Sequence, residues 1–513
     1  MAYVVELDPE TATSRKQLGL PDLEVGCAPM FRRRDLMPMD FLDGETSTLG
    51  WDTSYAIRLP DVNAAITKAK AWPPTFQIDV DPQADYTLNG HFGPWQVIRG
   101  GSGAIAMLAI KIDTGEMTIS EGEEIKKYPM DGSTAIVSVK LRYASAPLPH
   151  LQSVAERMLL MTNPAARSAA DPAVVVHGLE FSKPAPSPYV QALMKAGLDL
   201  WLNENIKKFS HIFLIVSLNE TVTDAFQWLK PTYTSYAYLE GATDENSFFG
   251  ALGMTENRSA DGLANQLGPN SVPKASRAGF SIGMSRYLEK VVLPGLIKTF
   301  AKATTGSFTL TGNNSVIVNT GAFEVDPIWV NGTQYTPKVE LFELQVLAEE
   351  LQIHTRTKIP ISLGIRAIVD SVTYQKIILV NKTDGSGHTL DFKESRPVAT
   401  NHWIEVDDGV KITQIIVSLV GAVAGVAGEV FDKIAHVIIA IVIITIVAGV
   451  VNLIPDLIAE VAGGDAAKVL PPIGHFATGA TDPVKWPDAG QFTLTEAGLN
   501  GAFQFGGNPN FTY

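Results

Sequence analysis

The chain has 513 residues, with 40 Lys plus Arg against 54 Asp plus Glu, one cysteine and 46% apolar residues. That apolar share suits a sizeable core and excludes wholesale disorder. The formal charge of −14 has the wrong sign for a generic nucleic-acid binder and opposes strong attraction to an anionic bilayer. Arg32-Arg33-Arg34 is the one obvious basic run, and the lone Cys27 excludes both an intramolecular disulfide and a zinc site with two cysteine ligands.

The opening MAYVVELDPETATSRKQ has early acids and no apolar h-region. The expectation is a chain made in the cytoplasm without a Sec signal peptide, with release from the cell left open. Residues 1–48 read as an irregular N-terminal arm. Gly50-Trp51-Asp52-Thr53 then leads into a short strand, Tyr55–Ile57, and Pro60 opens a helix. In it Val62, Ala65, Ile66 and Ala69 recur at helical spacing, with Lys68 and Lys70 opposite. Short strands follow at Gln77–Val80, Tyr86–Leu88, Ala104–Ile112 and Thr134–Tyr143. A helix is expected after Pro149, carrying Leu151, Val154, Met158 and Met161, and another over Tyr189–Lys208. Strands return at His211–Leu218 and Thr232–Tyr238, and residues 240–275, rich in Gly, Asn and Ser, read as a long surface loop or domain boundary.

The pattern then begins again. A helix from Met284 to about Thr304 carries Tyr287, Leu288, Val291, Val292 and Ile297, and strands follow from Ser307 to Val380. Gln345–Ile361 is the clearest, with Leu351, Ile353, Thr355, Thr357 and Ile359 on one face and Gln352, His354, Arg356 and Lys358 on the other. A very long helix is expected over Val410–Ala462, and strands in the tail 475–513. The order helix, antiparallel strands, helix thus occurs twice, which suggests two related modules, 49–280 and 281–513, in an α+β fold.

Few residues suggest chemistry. Gly279-Phe280-Ser281-Ile282-Gly283 satisfies G-x-S-x-G, but Pro273–Ala278 is polar and Pro-led rather than a buried strand, and βαβ alternation is missing. A linker-to-helix junction is the expected reading. Gly100-Gly101-Ser102-Gly103 lacks both phosphate-loop spacings and reads as a tight turn with φ > 0. The nine histidines include no pair within four positions, so no local metal motif occurs. His354 is expected to be solvent-exposed. Glu349-Glu350 and Asp407-Asp408 are expected at solvated element ends, the latter pair favouring the dipole of the following helix. No catalytic residue, metal ligand or cofactor is expected.

The apolar stretch is more informative. Val437–Ile454 is an uncharged run of 18 and Ile412–Gly428 one of 17. Between them Glu429, Asp432, Lys433 and His436 share one helical face, which continues backwards through Gly425, Ala422/Gly421, Ser418, Gln414 and Lys411. One helix with a narrow polar or small-residue seam results, of roughly 75 Å at ~1.5 Å per residue. It must be surrounded by lipid or by a wrapping sheet.

Gly50-Trp51-Asp52-Thr53-Ser-Tyr-Ala-Ile-Arg-Leu-Pro-Asp-Val-Asn63 resembles the opening of the forty-seven-kilodalton proteins of clostridial neurotoxin gene clusters. These are grouped with the OrfX-type proteins in the tubular lipid-binding (TULIP) superfamily. Leu88-Asn-Gly-His-Phe-Gly-Pro-Trp95, Trp228-Leu-Lys-Pro231, Ser285–Phe300, Trp486-Pro487 and Phe492–Gly501 extend the likeness, in order, from about residue 50 to the C-terminus. The resemblance implies strongly curved antiparallel sheets wrapped around long helices. It also implies a non-enzymatic, toxin-associated or insecticidal role: binding a lipid or other elongated apolar ligand, or assisting assembly or delivery with other proteins of a toxin complex. Val62, Ile66, Leu288, Val292, Ile441 and Ile444 are then candidates for lining a groove or filling a core. A membrane-active toxin whose apolar helix inserts into a bilayer, and a purely structural partner, are the alternatives.

Overall fold

The computed structural model describes residues 44–140, 156–158, 172–206, 215–217, 224–300, 302–304, 306–449, 455–481, 484–485 and 489–511. All of them belong to one compact unit, Phe41–Tyr513. Cys27 and Arg32-Arg33-Arg34 of the N-terminal arm lie outside the described residues. So does the helix expected after Pro149, except for Glu156–Met158, which form a short strand.

A six-stranded antiparallel sheet joins the two halves of the chain, in the order Pro231–Leu239, Phe248–Thr255, Thr53–Arg58, Ala278–Ile282, Ala502–Phe511, Ala489–Asn500. The order mirrors itself about the middle. Each half gives a first strand to the centre, then a helix, an end sheet and a longer helix. Each then returns with a hairpin whose second strand flanks that half's first. The expected division at residues 280 and 281 therefore passes through a central strand of a shared sheet.

In the first half the six-stranded end sheet runs Thr75–Asp81, Tyr86–Ser102, Ile105–Glu121, Thr134–Lys140, Val174–Glu180, with Glu124–Pro129 beside Ile105–Glu121. Helix α1 (Leu59–Ala69) starts at Pro60, whose missing N–H costs nothing in a first turn, and buries Leu59, Val62, Ala65 and Ile66. Helix α2 (Pro188–Glu204) is capped by Ser187, whose hydroxyl accepts from the Val190 amide at 3.4 Å. A Cβ on Gly197 would lie 2.4 Å from the Leu88 side chain, so this glycine lets α2 lie close against the sheet.

The second half repeats the plan at greater length. Helix α3 (Met284–Tyr287), a π-helical turn (Leu288–Val292) and helix α4 (Leu293–Thr299) lead to a seven-stranded sheet. Its path is Phe308–Thr311, Val316–Asn319, Lys338–Leu347, Glu350–Ser362, Ile365–Asn381, His388–Val406, with Phe323–Glu324 beside Lys338–Leu347. Bulges opposite Val372–Gln375 increase twist and bend along the last two long strands. Helices α5 (Gln414–Ala448), α6 (Pro455–Ala462), α7 (Ala466–Val469) and α8 (Gly474–Thr481) follow.

Several expectations change. The helix expected over 410–462 is two helices: α5 ends at Gly449, whose φ of 79° suits glycine, and α6 begins afresh at Pro455. At ~1.5 Å per residue α5 is a rod of roughly 52 Å rather than 75 Å. The loop expected over 240–275 contains the wholly buried strand Phe248–Thr255. Its glycines serve close packing: a Cβ on Gly250 would sit 1.9 Å from the Tyr55 carbonyl oxygen. Gln345–Ile361 is split by a turn at Ala348 (φ 50°), although the alternation beyond it holds. Ala278–Ile282, expected as linker, is a buried strand paired on both sides.

Candidate functional site

Helix α5 is the most apolar element, and its two halves have different surroundings. Thr413 caps it, the hydroxyl accepting from the Ile416 amide at 3.4 Å. Over the first half Ile415, Ser418, Ala422, Gly425, Glu429 and Lys433 form an exposed stripe. This is the polar and small-residue seam expected from the sequence, with Asp432 and His436, 3.8 Å apart, half-buried at its edge. From Ile438 to Val447 the helix is buried on every side. Strands Ile365–Asn381 and His388–Val406, α4, α6 and α8 supply the coat. Helix α5 is long and apolar enough to cross a membrane, yet 67% of its most apolar window is buried within the protein.

The six candidate lining residues fall in two places. Val62 and Ile66 lie on α1 against the first-half sheet. Leu288 and Val292 lie in the π-helical turn, which packs with α4 against the enclosed half of α5, where Ile441 and Ile444 sit. A Cβ on Gly295 of α4 would lie 2.7 Å from the Ile441 side chain, so only glycine permits this approach. All six are buried. The structure thus brings four of them together and keeps two apart.

The sheet face that receives α5 is not uniformly apolar. Gly428 of α5 lies against Thr400, whose hydroxyl is 3.2 Å from that of Ser371. On the same face the hydroxyls of Thr357 and Thr373 and both amide atoms of Gln375 are buried without a hydrogen-bond partner, as is the Thr445 hydroxyl on α5. Packed against α5, those groups lie in an apolar environment, where each unpaired polar group costs free energy. The sequence showed Thr357 within an alternation of Thr with Ile, without revealing that its hydroxyl is orphaned.

Two ion networks brace the sheets. Asp52, from the Gly-Trp-Asp-Thr string, accepts from the Thr255 amide at 2.8 Å and hydroxyl at 2.9 Å, and lies 3.0 Å from Arg258. The fully buried Arg286 donates to Thr255 and Glu289, and pairs with Glu256. Burial pushes the Glu256 carboxyl up, but Lys290 and Arg286 outweigh it and hold the carboxyl below the usual range. The second network overturns the expected exposure of His354. Its ring is buried, 2.9 Å from Asp370 and 3.5 Å from Glu343 on the flanking strands. Burial opposes its charge, but hydrogen bonds to Asp370 and Glu343 win and raise its pKa to about 9.

Of the paired acids, Glu349, Asp407 and Asp408 are exposed at element ends as expected, and Glu350 is the exception. Glu350 is buried and bound to Arg396, and Glu349 pairs with Lys376. Asp407 makes a two-pronged contact with Arg366, at 2.6 and 3.1 Å, instead of serving the helix dipole.

The remaining motifs resolve structurally. Ser281 is wholly enclosed and accepts from the Gln504 amide at 3.3 Å, so no substrate carbonyl reaches its hydroxyl and its partner is not a base. Gly100 and Gly103 adopt positive φ, 105° and 56°, in the turn expected there. Gly103 exchanges backbone hydrogen bonds with Tyr238, and the Gly100 amide donates to the Glu240 carboxylate at 2.9 Å, where a phosphate would be repelled. Among the described residues no three His, Cys, Asp or Glu side chains gather as a metal site. A cleft of about 470 Å³ opens between the central and second-half sheets, with Lys274, Lys376, Lys393, Glu349 and Glu496 in its wall.

The family model described as "OrfX-like: Protein OrfX2/OrfX3/P47" matches residues 48–507. Protein OrfX3 of Paraclostridium bifermentans is 26% identical over 502 residues, covering 90% of this chain and 98% of that protein. Protein OrfX3 of Clostridium botulinum (strain Kyoto / Type A2) is 26% identical over 500 residues, with the same coverage. In fold, the chain is similar to the structure of P47 from Clostridium botulinum A2, with a TM-score of 0.62 at 17% identity over 91% of this chain and 99% of that one. The crystal structure of P47 of Clostridium botulinum E1 gives the same TM-score and identity, over 90% of this chain and 100% of that one. The α+β fold is therefore that of the P47 structures, and the chain belongs to the OrfX/P47 family.

Proposed function

We propose that this chain is a non-catalytic, TULIP-like protein of two related modules that works within a toxin-associated system by holding other proteins of that system in an assembly. The family's link to botulinum toxin gene clusters gives the setting. The observation that carries the reading is the closed coat of Ile438–Val447: side chains of α4, α6, α8 and the second-half sheet fill the space an elongated ligand would need. The enclosure of Ser281 supports a non-catalytic role.

Native mass spectrometry of the intact protein tests this. The expected result is the mass of the bare chain, together with a stoichiometric complex when proteins encoded beside it are added. A co-purified lipid in one-to-one ratio would overturn the filled-interior reading in favour of a carrier, in which Leu288, Val292, Ile441 and Ile444 part to admit the ligand.

A further inference from the structure

We infer that one end of the second-half sheet is a docking tip for the surface of a zwitterionic lipid bilayer, entered by Trp329, Leu363, Ile412 and Ile415. This goes beyond the assembly role. The four residues are far apart in sequence, and the strand register brings their segments to one end. Lys338 pairs with Lys358 and Glu324 with Lys338, so the strands that begin at Lys338 and end at Ser362 and Glu324 share that end. The turn at Leu363 follows, and Ile365 pairs with Val406, so the chain leaves the sheet there towards α5. The Asp407 amide donates to the Gly364 carbonyl at 2.8 Å, and a Cβ on Gly364 would lie 2.9 Å from the Val410 side chain. The hairpin Ile328–Val330/Thr333–Tyr335 projects between Glu324 and Lys338 and turns at Asn331-Gly332, both at positive φ.

Each segment turns one large apolar side chain or more outwards. Trp329 is 64% exposed, Leu363 97%, Ile412 43% and Ile415 79%. Ile328, Val330 and Tyr335 of the same hairpin are buried, so the hairpin is anchored by its own inner face and Trp329 is not needed for packing. An isolated exposed leucine needs no explanation, whereas four such side chains on neighbouring projections do. Two turns and a helix start form separate protrusions rather than a flat face. A fluid interface accommodates such protrusions, with the tryptophan ring at headgroup level and the aliphatic side chains just beneath.

The charges favour a zwitterionic surface. Lys358 is held by Glu340 and Glu405, and Arg366 by Asp407. The same segments carry Asp326 and Asp408 as well as Lys338 and Lys411, so they add no net positive charge, in a chain of net charge −14. With no cationic excess, attachment rests on apolar burial, and the run Ile412–Gly428 behind the tip carries no charge to oppose approach to the interface.

Flotation of the full chain with phosphatidylcholine vesicles tests the inference. The intact protein is expected to rise with the vesicles equally at 50 and 500 mM salt, because screening acts on charges alone. The triple change Trp329→Ser, Leu363→Ser, Ile415→Ser should lower the bound fraction at least tenfold with an unchanged circular-dichroism spectrum. Leu363→Ser alone, at the most exposed of these positions, should lower it severalfold should the triple variant fail to fold. The matched pair Ile125→Ser, Tyr189→Ser, exposed residues of the first half, should bind as the parent does. The inference is overturned by an intact chain that stays with the free protein, by a tip variant that binds normally, or by binding that needs anionic lipid and vanishes in salt. None of these outcomes bears on the native-mass test, so the assembly reading stands or falls separately.

Discussion

Helix α5 contains its own control experiment, because Ile444 and Ile415 are the same residue type in one helix with opposite surroundings. Ile444 is fully enclosed and Ile415 is largely exposed. Truncating Ile444 to alanine removes about three methylene equivalents, worth ~0.8 kcal/mol each on burial. The cavity left behind adds to this transfer loss, because the coat of α4, α8 and the sheet collapses only in part, so a total of about 3–4 kcal/mol is expected. Ile415→Ala should cost less than about 0.5 kcal/mol. A chain of this size need not unfold in one step, so local hydrogen exchange is the better assay. At ~1.4 kcal/mol per tenfold, amides of 438–447 should exchange roughly a hundredfold faster or more in Ile444→Ala. In Ile415→Ala they should be unchanged. Equal effects of the two substitutions, or a small effect at Ile444, would refute the enclosure on which the proposed function rests.

Asp52→Ala should destabilise the central sheet by about 3–5 kcal/mol, because it strips a carboxylate from the buried Arg286 and Thr255; urea unfolding followed by fluorescence would measure this. Thr445→Val should stabilise by about 1 kcal/mol, since it removes a buried hydroxyl that has no partner while keeping the side-chain shape; the same urea titration applies. Gly250→Ala should prevent the sheet from closing, because its Cβ would meet the Tyr55 carbonyl; loss of soluble folded protein on expression is the readout. His354 has a pKa raised to about 9, above its ordinary 6.5, so its contribution is fully present below about pH 6.5 and is lost as pH rises through 9. The melting temperature should therefore fall between pH 7 and 10 by more in the parent than in His354→Gln.

How much was legible in the sequence follows from the range of the forces involved. The helical face of Val62 and Ile66, the seam from Ser418 to Lys433, the alternation from Leu351 to Ile359 and the turn at Gly100–Gly103 are local patterns. Each is set by backbone periodicity or by a glycine's freedom, and each is present in the structure. The order of weakly similar segments from residue 50 onwards also carried the family. Other features depend on partners hundreds of residues away. Glycines at 250 and 253 look like loop residues until the neighbouring strand is in place. His354 looks exposed until Glu343 and Asp370 arrive from the adjacent strands.

By itself, then, the sequence determined the repeated helix–strand–helix plan, the acidic and disulfide-free character of the chain, and an apolar helix that must be covered. These follow from composition and from short-range periodicity. Only the tertiary structure decided that the helix ends at Gly449, that its second half is coated by protein, and that the two halves share one sheet. It alone gathered Trp329, Leu363 and Ile415 at one end. The reason is physical: hydrophobic burial is non-directional, so a sequence specifies that apolar surface will be covered, while long-range strand pairing selects what covers it.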